Sequence, residues 1–196
     1  MSRQAARSEA TRAKLLAAAR SLFAKRGYAG VGTEEIVRRA RVTRGALYHH
    51  FADKRDLFRA VHESLEAELV AGIAAALESA ATDDPVEAMR VATAAFLDAA
   101  VDPGRARITL VEAPSVLGWA EWREIDARFG LGLAEAALTA AMEAGRIGRQ
   151  PVRPLAHLLL AAMGEAGVIV ATAPDPPAAR REVERALNSL IDGLAN

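Results

Sequence analysis

Eight prolines punctuate the last two-thirds of this 196-residue chain. Pro85, Pro103, Pro114, Pro151, Pro154, Pro174, Pro176 and Pro177 all fall between runs with helical spacing. Proline breaks a helix interior because it lacks an N–H and its ring clashes with the carbonyl four residues back. The runs left between prolines, near 86–101, 104–112, 117–145, 154–172 and 177–194, are predicted helices. Ala and Leu dominate, and both are strong helix formers, whereas β-branched residues are sparse. The expected fold class is all-α, with about nine helices. With 52% apolar residues, one large domain or two small ones can be built.

The start of the chain is more specific. Leu15, Leu16, Ala19, Leu22 and Phe23 form one apolar stripe, and Gly27 stands where a helix C-cap is expected. A second helix is predicted from Thr33 as N-cap, with Glu34 and Glu35 in the first turn, where the helix dipole favours acids. Ile36, Val37 and Ala40 face inward, and Arg41-Val42-Thr43 make a turn. Thr43 then caps a third helix, and Val42 with Leu47 fits a hydrophobic staple. At 100° per residue, Ala46, Leu47, His50 and Phe51 share one side of that helix. Arg44, Gly45, Tyr48 and His49 share the other, which is basic, aromatic and small. Asp53 caps a fourth helix whose seam is Leu57, Val61, Leu65, Leu69 and Ile73, running to about Ala81. The predicted division is a three-helix head, residues 1–52, and a helical-bundle body, residues 53–196.

Charge separates the same two parts. Residues 1–60 hold 14 Lys and Arg against 5 Asp and Glu, while residues 61–196 hold 11 against 20. A basic head on an acidic body points to a polyanionic partner for the head. Two short helices joined by a three-residue turn, the second with a basic outward face, form a helix-turn-helix that places its second helix in the DNA major groove. Gly45 permits close backbone approach. Tyr48 offers a hydroxyl to a phosphate or a ring to a thymine methyl, and His49 a phosphate contact. Lys54, in the first turn of helix four, is expected to hold a phosphate against that helix's N-terminus. Thr33 and Thr43 offer hydroxyls or helix-start N–H groups.

These residues carry a resemblance. TRAKLLAAARSLFAKRGYAGVGTEEIVRRARVTRGALYHHFADKRDLFRAV, residues 11–61, resembles the DNA-binding head of TetR-type transcriptional regulators. The specific elements are LFAKRGY, TEEI and GALYHHFADK. The resemblance implies a homodimer on a near-palindromic double-stranded DNA operator, and a C-terminal body that dimerises and binds a small effector. It implies Thr33, Thr43, Arg44, Gly45, Tyr48, His49 and Lys54 as the DNA-contacting set. Position 41 departs from the pattern: Arg41 stands where the family usually has Gly, and a left-handed residue there costs roughly 1 kcal/mol. Arg41 is an added candidate for a phosphate contact.

Other chemistries are poorly supported. There is no Cys, which removes disulfides, thiolate metal sites and Cys nucleophiles and suits a reducing compartment. His49 and His50, with or without His62, make poor metal co-ligands because adjacent helical residues point to different faces. Phe129-Gly-Leu-Gly-Leu133 has a G-x-G without a preceding strand. No cofactor and no enzymatic activity are expected; an all-helical enzyme and an architectural DNA-binding protein without effector are the alternatives. MSRQAARSEATRAK shows no apolar signal region, so a cytoplasmic protein is expected. Leu155–Ala173 approaches the ~20 residues of a membrane span. However, Glu165 near its middle costs roughly 2.5–3.5 kcal/mol there, so a helix buried on nearly all sides inside protein is expected instead.

In the body, the scarce aromatics suggest a largely apolar effector pocket. Phe96, Trp119, Trp122 and Met89 are its expected walls, with Glu112, Arg105 or His62 as polar elements. The dimer interface is expected on the last two helices. Val183, Leu187, Leu190 and Ile191 form a stripe on one, and Leu159, Leu160, Met163, Gly164 and Gly167 belong to the over-apolar other.

Overall fold

The computed structural model describes residues 3–195. Helices α1 (Arg3–Arg26), α2 (Thr33–Ala40) and α3 (Arg44–His50) form the head. Helix α4 (Lys54–Ala80) carries the chain into a body of α5 (Pro85–Ala100), α6 (Pro103–Ala106), a π-helical turn (Arg107–Glu112), α7 (Ala113–Leu117), α8 (Trp119–Glu143), α9 (Val152–Thr172) and α10 (Pro176–Ala195). No strand occurs among the described residues. α6, the π turn and α7 follow one another without a break, so counting them as one rod gives nine helices among the described residues.

The prolines sit closer to the helices than expected. Pro85, Pro103 and Pro176 open their helices, Pro177 is second in α10, and Pro154 is third in α9. First-turn N–H groups have no intrahelical partner, so a missing one costs nothing there. Pro114 is the correction that matters. It lies inside the rod, second in α7, with helical backbone on both sides. Its ring would strike the Leu110 carbonyl of a regular α-helix. The five-residue hydrogen-bond step of the π turn just before it removes that clash, and such turns are frequent at functional sites.

One core joins head and body. Leu15, Phe23, Ile36, Leu47, Leu57 and Phe58, all fully buried, pack in the same cluster as Ile108 and Ala113 of the rod and Ile125 of α8. Each large side chain fully buried there contributes roughly 1.5–3 kcal/mol. The division near residue 52 therefore separates jobs rather than cores, and as such it is a proposal. A second cluster, with Val86, Leu138, Ala156 and Ile191, and a third, with Leu97, Val170 and Leu187, hold α5, α8, α9 and α10 together.

Helix α9 is not buried on nearly all sides. It is the one described helix long and apolar enough to cross a membrane, with mean hydropathy 1.7, yet only 22% of that window is buried. Leu158, Glu165 and Ile169 look outward. The residues expected at a dimer interface mostly point the other way. Leu187 and Ile191 are buried in their own subunit. Val183 packs on the third cluster, and Gly167 lies so close to Phe96 and Leu110 that a Cβ there would meet both at 3.0 Å. Leu159, Leu160, Met163 and Gly164 line a partly open chamber in the body. Leu190, on the same chamber wall, is also 57% exposed. A helical stripe reports burial, not which chain does the burying.

Candidate DNA-reading face and effector chamber

The head is built as its caps dictate. The Thr43 hydroxyl accepts the Ala46 N–H at 3.2 Å, and the Asp53 carboxylate accepts the Asp56 N–H at 2.7 Å. Gly27 is left-handed at φ 74 and closes α1, its N–H donating to the Phe23 carbonyl. At α2 the N-cap is Gly32, not Thr33, which is the first helical residue. Arg41 adopts the left-handed conformation, φ 55 and ψ 46. Its N–H reaches the Arg38 carbonyl, and the Val42 N–H reaches that of Val37. These two bonds close α2 and offset the strain of a side chain in that region. The Arg41 side chain is exposed.

Helix α3 divides as the 100° spacing requires. Leu47 and Phe51 are buried, whereas Arg44, Gly45, Tyr48 and His49 are exposed. The Arg44 guanidinium stands 5.6 Å from the Tyr48 ring centre and 3.8 Å from Glu34. Lys54 behaves differently from its expectation. Its ammonium donates to the carbonyls of Tyr28 and Val31, both at 3.0 Å, and lies 4.0 Å from the Tyr28 ring centre. It clamps the α1–α2 loop onto α4, which leaves one N–H for any phosphate.

In the body, α4, α5, α8, α9 and α10 form a partly open, largely apolar chamber of about 230 Å³, walled by Leu69, Ile73, Met89, Phe96, Leu160 and Leu187. It adjoins an inner cavity of about 30 Å³ bounded by His62, Arg105, Thr109 and Trp122. Glu66, Phe96, Asp126 and Gly164 stand in the walls of both. Five of the expected effector residues, His62, Met89, Phe96, Arg105 and Trp122, thus converge. Trp119 does not line either cavity; it is 67% exposed and rests on Trp122, ring centres 5.0 Å apart. Glu112 is also elsewhere, where it accepts the Tyr28 N–H at 2.7 Å. Glu66 and Asp126 were missed from sequence. The available signal was a carboxylate beside the α4 seam, one helical turn after His62. A larger cleft of about 490 Å³ between α1, α4 and α6 is charged, and the Arg20–Glu68 ion pair at 2.5 Å forms part of its wall.

Two family descriptions match this chain: "Bacterial regulatory proteins, tetR family" over residues 15–61, and "Tetracyclin repressor-like, C-terminal domain" over residues 86–194, more than half the chain. The chain belongs to the TetR family. It is a DNA-binding transcriptional regulator. A TetR-family regulator from Pectobacterium atrosepticum, solved by crystallography, is 34% identical with a TM-score of 0.84, covering 100% of this chain and 98% of that one. The transcriptional activator FasR of Mycolicibacterium smegmatis is 40% identical over 44% of this chain and 39% of its own length. Among the curated relatives the matched stretch spans between 20% and 64% of their lengths. RolR, solved with resorcinol, is 21% identical with a TM-score of 0.73, over 95% of this chain and 89% of that one, and shows the shared fold.

The inner end of this TetR-family chamber is electrostatically unusual. Burial pushes the His62 imidazole down to about 4, against the attraction of Glu63. Burial, then the Asp126 charge, pushes the Glu66 carboxyl up to about 7. Burial also raises Asp126, against Arg123. In linkage terms, between about pH 4.5 and 6.5 unfolding would return a proton from Glu66 to water and add one to His62. The two changes offset, so the buried pair leaves stability nearly flat across that window. Between about pH 4.5 and 6.5 both groups beside the chamber are mainly neutral; above about pH 7 Glu66 is mainly ionised while His62 stays neutral.

Proposed function

We propose that this TetR-family regulator is a homodimeric repressor of a near-palindromic operator, acts in the cytoplasm, and is released from DNA by a small, largely apolar effector in the chamber. The observation that carries the reading is the rod from Pro103 to Leu117. Its inner side bounds the inner cavity through Arg105, Thr109 and Leu110. Its outer side grips the head and the start of α4. Arg107 donates to the Lys25 carbonyl at 2.9 Å, and Glu112 accepts the Tyr28 N–H. Arg55 donates to the carbonyls of Val116 and Leu117, at 3.1 and 2.6 Å. The Trp122 indole N–H, bonded to the Thr109 carbonyl at 3.2 Å, ties the rod to α8.

A ligand that shifts the rod or α4 moves the head. Helix α4 has 27 residues and is about 40 Å long, a stiff lever. In a dimer the two recognition helices must stand about 34–36 Å apart to enter successive major grooves. A change of a few Å in that spacing lowers operator affinity. The resorcinol complex of RolR supports a small ligand inside this fold. A chamber of about 230 Å³ fits such a ligand, since drug-sized ones occupy roughly 300–1,000 Å³.

A genome-wide binding profile of the protein tests this reading. The expected result is a few sites that share an inverted repeat, with half-sites one helical turn apart and located over promoters. Sites lacking any inverted repeat would refute the dimeric-operator reading.

A further inference from the structure

Resting on the chamber as the effector site, we infer that the effector is a small alkyl cation of the primary-amine type, whose ammonium docks on Glu66 where the chamber meets the inner cavity. Four observations lead there. First, the chamber wall is largely apolar, its one other polar side chain, Thr93, is bonded to the Met89 carbonyl, and its only carboxylates, Glu66 and Asp126, stand at this end. Second, Glu66 has no hydrogen-bonded cation: the neutral His62 Nδ1 stands 3.7 Å away, beyond a hydrogen bond, and Arg105 acts only through space. Third, His62 is 1% exposed and neither ring nitrogen has a hydrogen-bond partner. Buried polar atoms are nearly always partnered, so this end of the cavity is built for a polar group it does not itself contain. Fourth, the neighbouring guanidinium groups hold other partners, and Arg105 acts on Glu66 through space without a hydrogen bond to it.

On α6, Arg105 is hydrogen-bonded to the Leu65 carbonyl and stands 3.9 Å from Glu68. On α8, Arg123 pairs with Asp126 at 2.9 Å and Arg128 with Glu63 of α4 at 2.6 Å. On α9, His157 acts on Asp126. On α5, the neighbour is the apolar Phe96. Above about pH 7 an anionic head entering here meets the ionised Glu66 and is repelled, while Asp126 is already paired with Arg123. An ammonium gains a carboxylate and loses little, because the apolar walls accept its chain. Its arrival favours the ionised form of Glu66, so a proton leaves as the cation binds.

The test is calorimetric titration of the full-length protein with n-octylamine, n-octanol and n-octanoate, which share a chain and differ in the head. At about pH 7.5 octylamine is expected to bind about tenfold or more tighter than octanol, and octanoate weakest. Raising the pH from about 6 to about 8 should tighten octylamine and leave octanol unmoved, since Glu66 ionises while the amine stays charged. Glu66→Gln should bring the octylamine-to-octanol affinity ratio toward one. The pH series on the unaltered protein carries the same conclusion if that variant folds poorly. Octanol or octanoate binding as tightly as octylamine, or no pH dependence, overturns the cationic head and leaves the chamber standing. Failure of all three to bind overturns the chamber as the effector site, and the amine proposal with it.

Discussion

Gly45→Leu is expected to leave the fold intact and to lower operator affinity by about 30-fold to 10⁴-fold. A Cβ at Gly45 would meet only the Thr43 hydroxyl, at 4.0 Å, and the position is exposed. Leucine is a better helix former than glycine by roughly 0.8 kcal/mol, so the melting temperature should hold or rise. The same side chain would stand between α3 and the base edges. Losing a base-edge contact costs about 1–3 kcal/mol per half-site, and a dimer suffers it twice. Fluorescence anisotropy at fixed salt, beside a thermal melt, separates the two effects. Unchanged operator affinity would move the reading face off α3.

The second large effect concerns assembly. Leu158 is 68% exposed and Ile169 47%, on the outward stripe of α9 that also holds Ala161 and Glu165, and Leu190 of α10 is 57% exposed. Exposed apolar side chains gathered on one helix face mark an interaction site, and a second copy is the occupant proposed here. Leu158→Glu with Ile169→Glu should yield a folded monomer by light scattering. Operator affinity should then fall about 10²–10⁴-fold, because two half-sites no longer act as one. By contrast, Leu187→Glu should unfold the body, since that side chain is buried among α5, α9 and α10. A dimer of normal mass in the double variant would place the interface elsewhere.

Much of the head was legible in the sequence because its determinants are local. Thr43 and Asp53 cap the helices they precede, and the two faces of α3 follow from 100° spacing. Arg41 was marked by its departure from glycine, and its left-handed backbone is what that departure implied. What escaped was tertiary. Lys54 reads as a first-turn cation awaiting a phosphate, but the carbonyls that hold it lie 23 and 26 residues earlier. Scarcity nominated Trp119 and Trp122 together, yet adjacent turns of α8 put one outside and one inside. The chamber is drawn from five helices, so no single stretch could announce it. Pro114 read as a boundary because its relief, a π turn, depends on backbone hydrogen bonds that residue types do not encode.

Coupling between the chamber and the operator is tested most directly by one titration. The tightest-binding of octylamine, octanol and octanoate is titrated into the free protein and into the operator complex. Coupling through the rod and α4 predicts weaker binding on DNA by about 5–150-fold, with operator affinity reduced by the same factor when the ligand saturates, because linkage is reciprocal. Equal ligand affinity for the free and DNA-bound protein would contradict it.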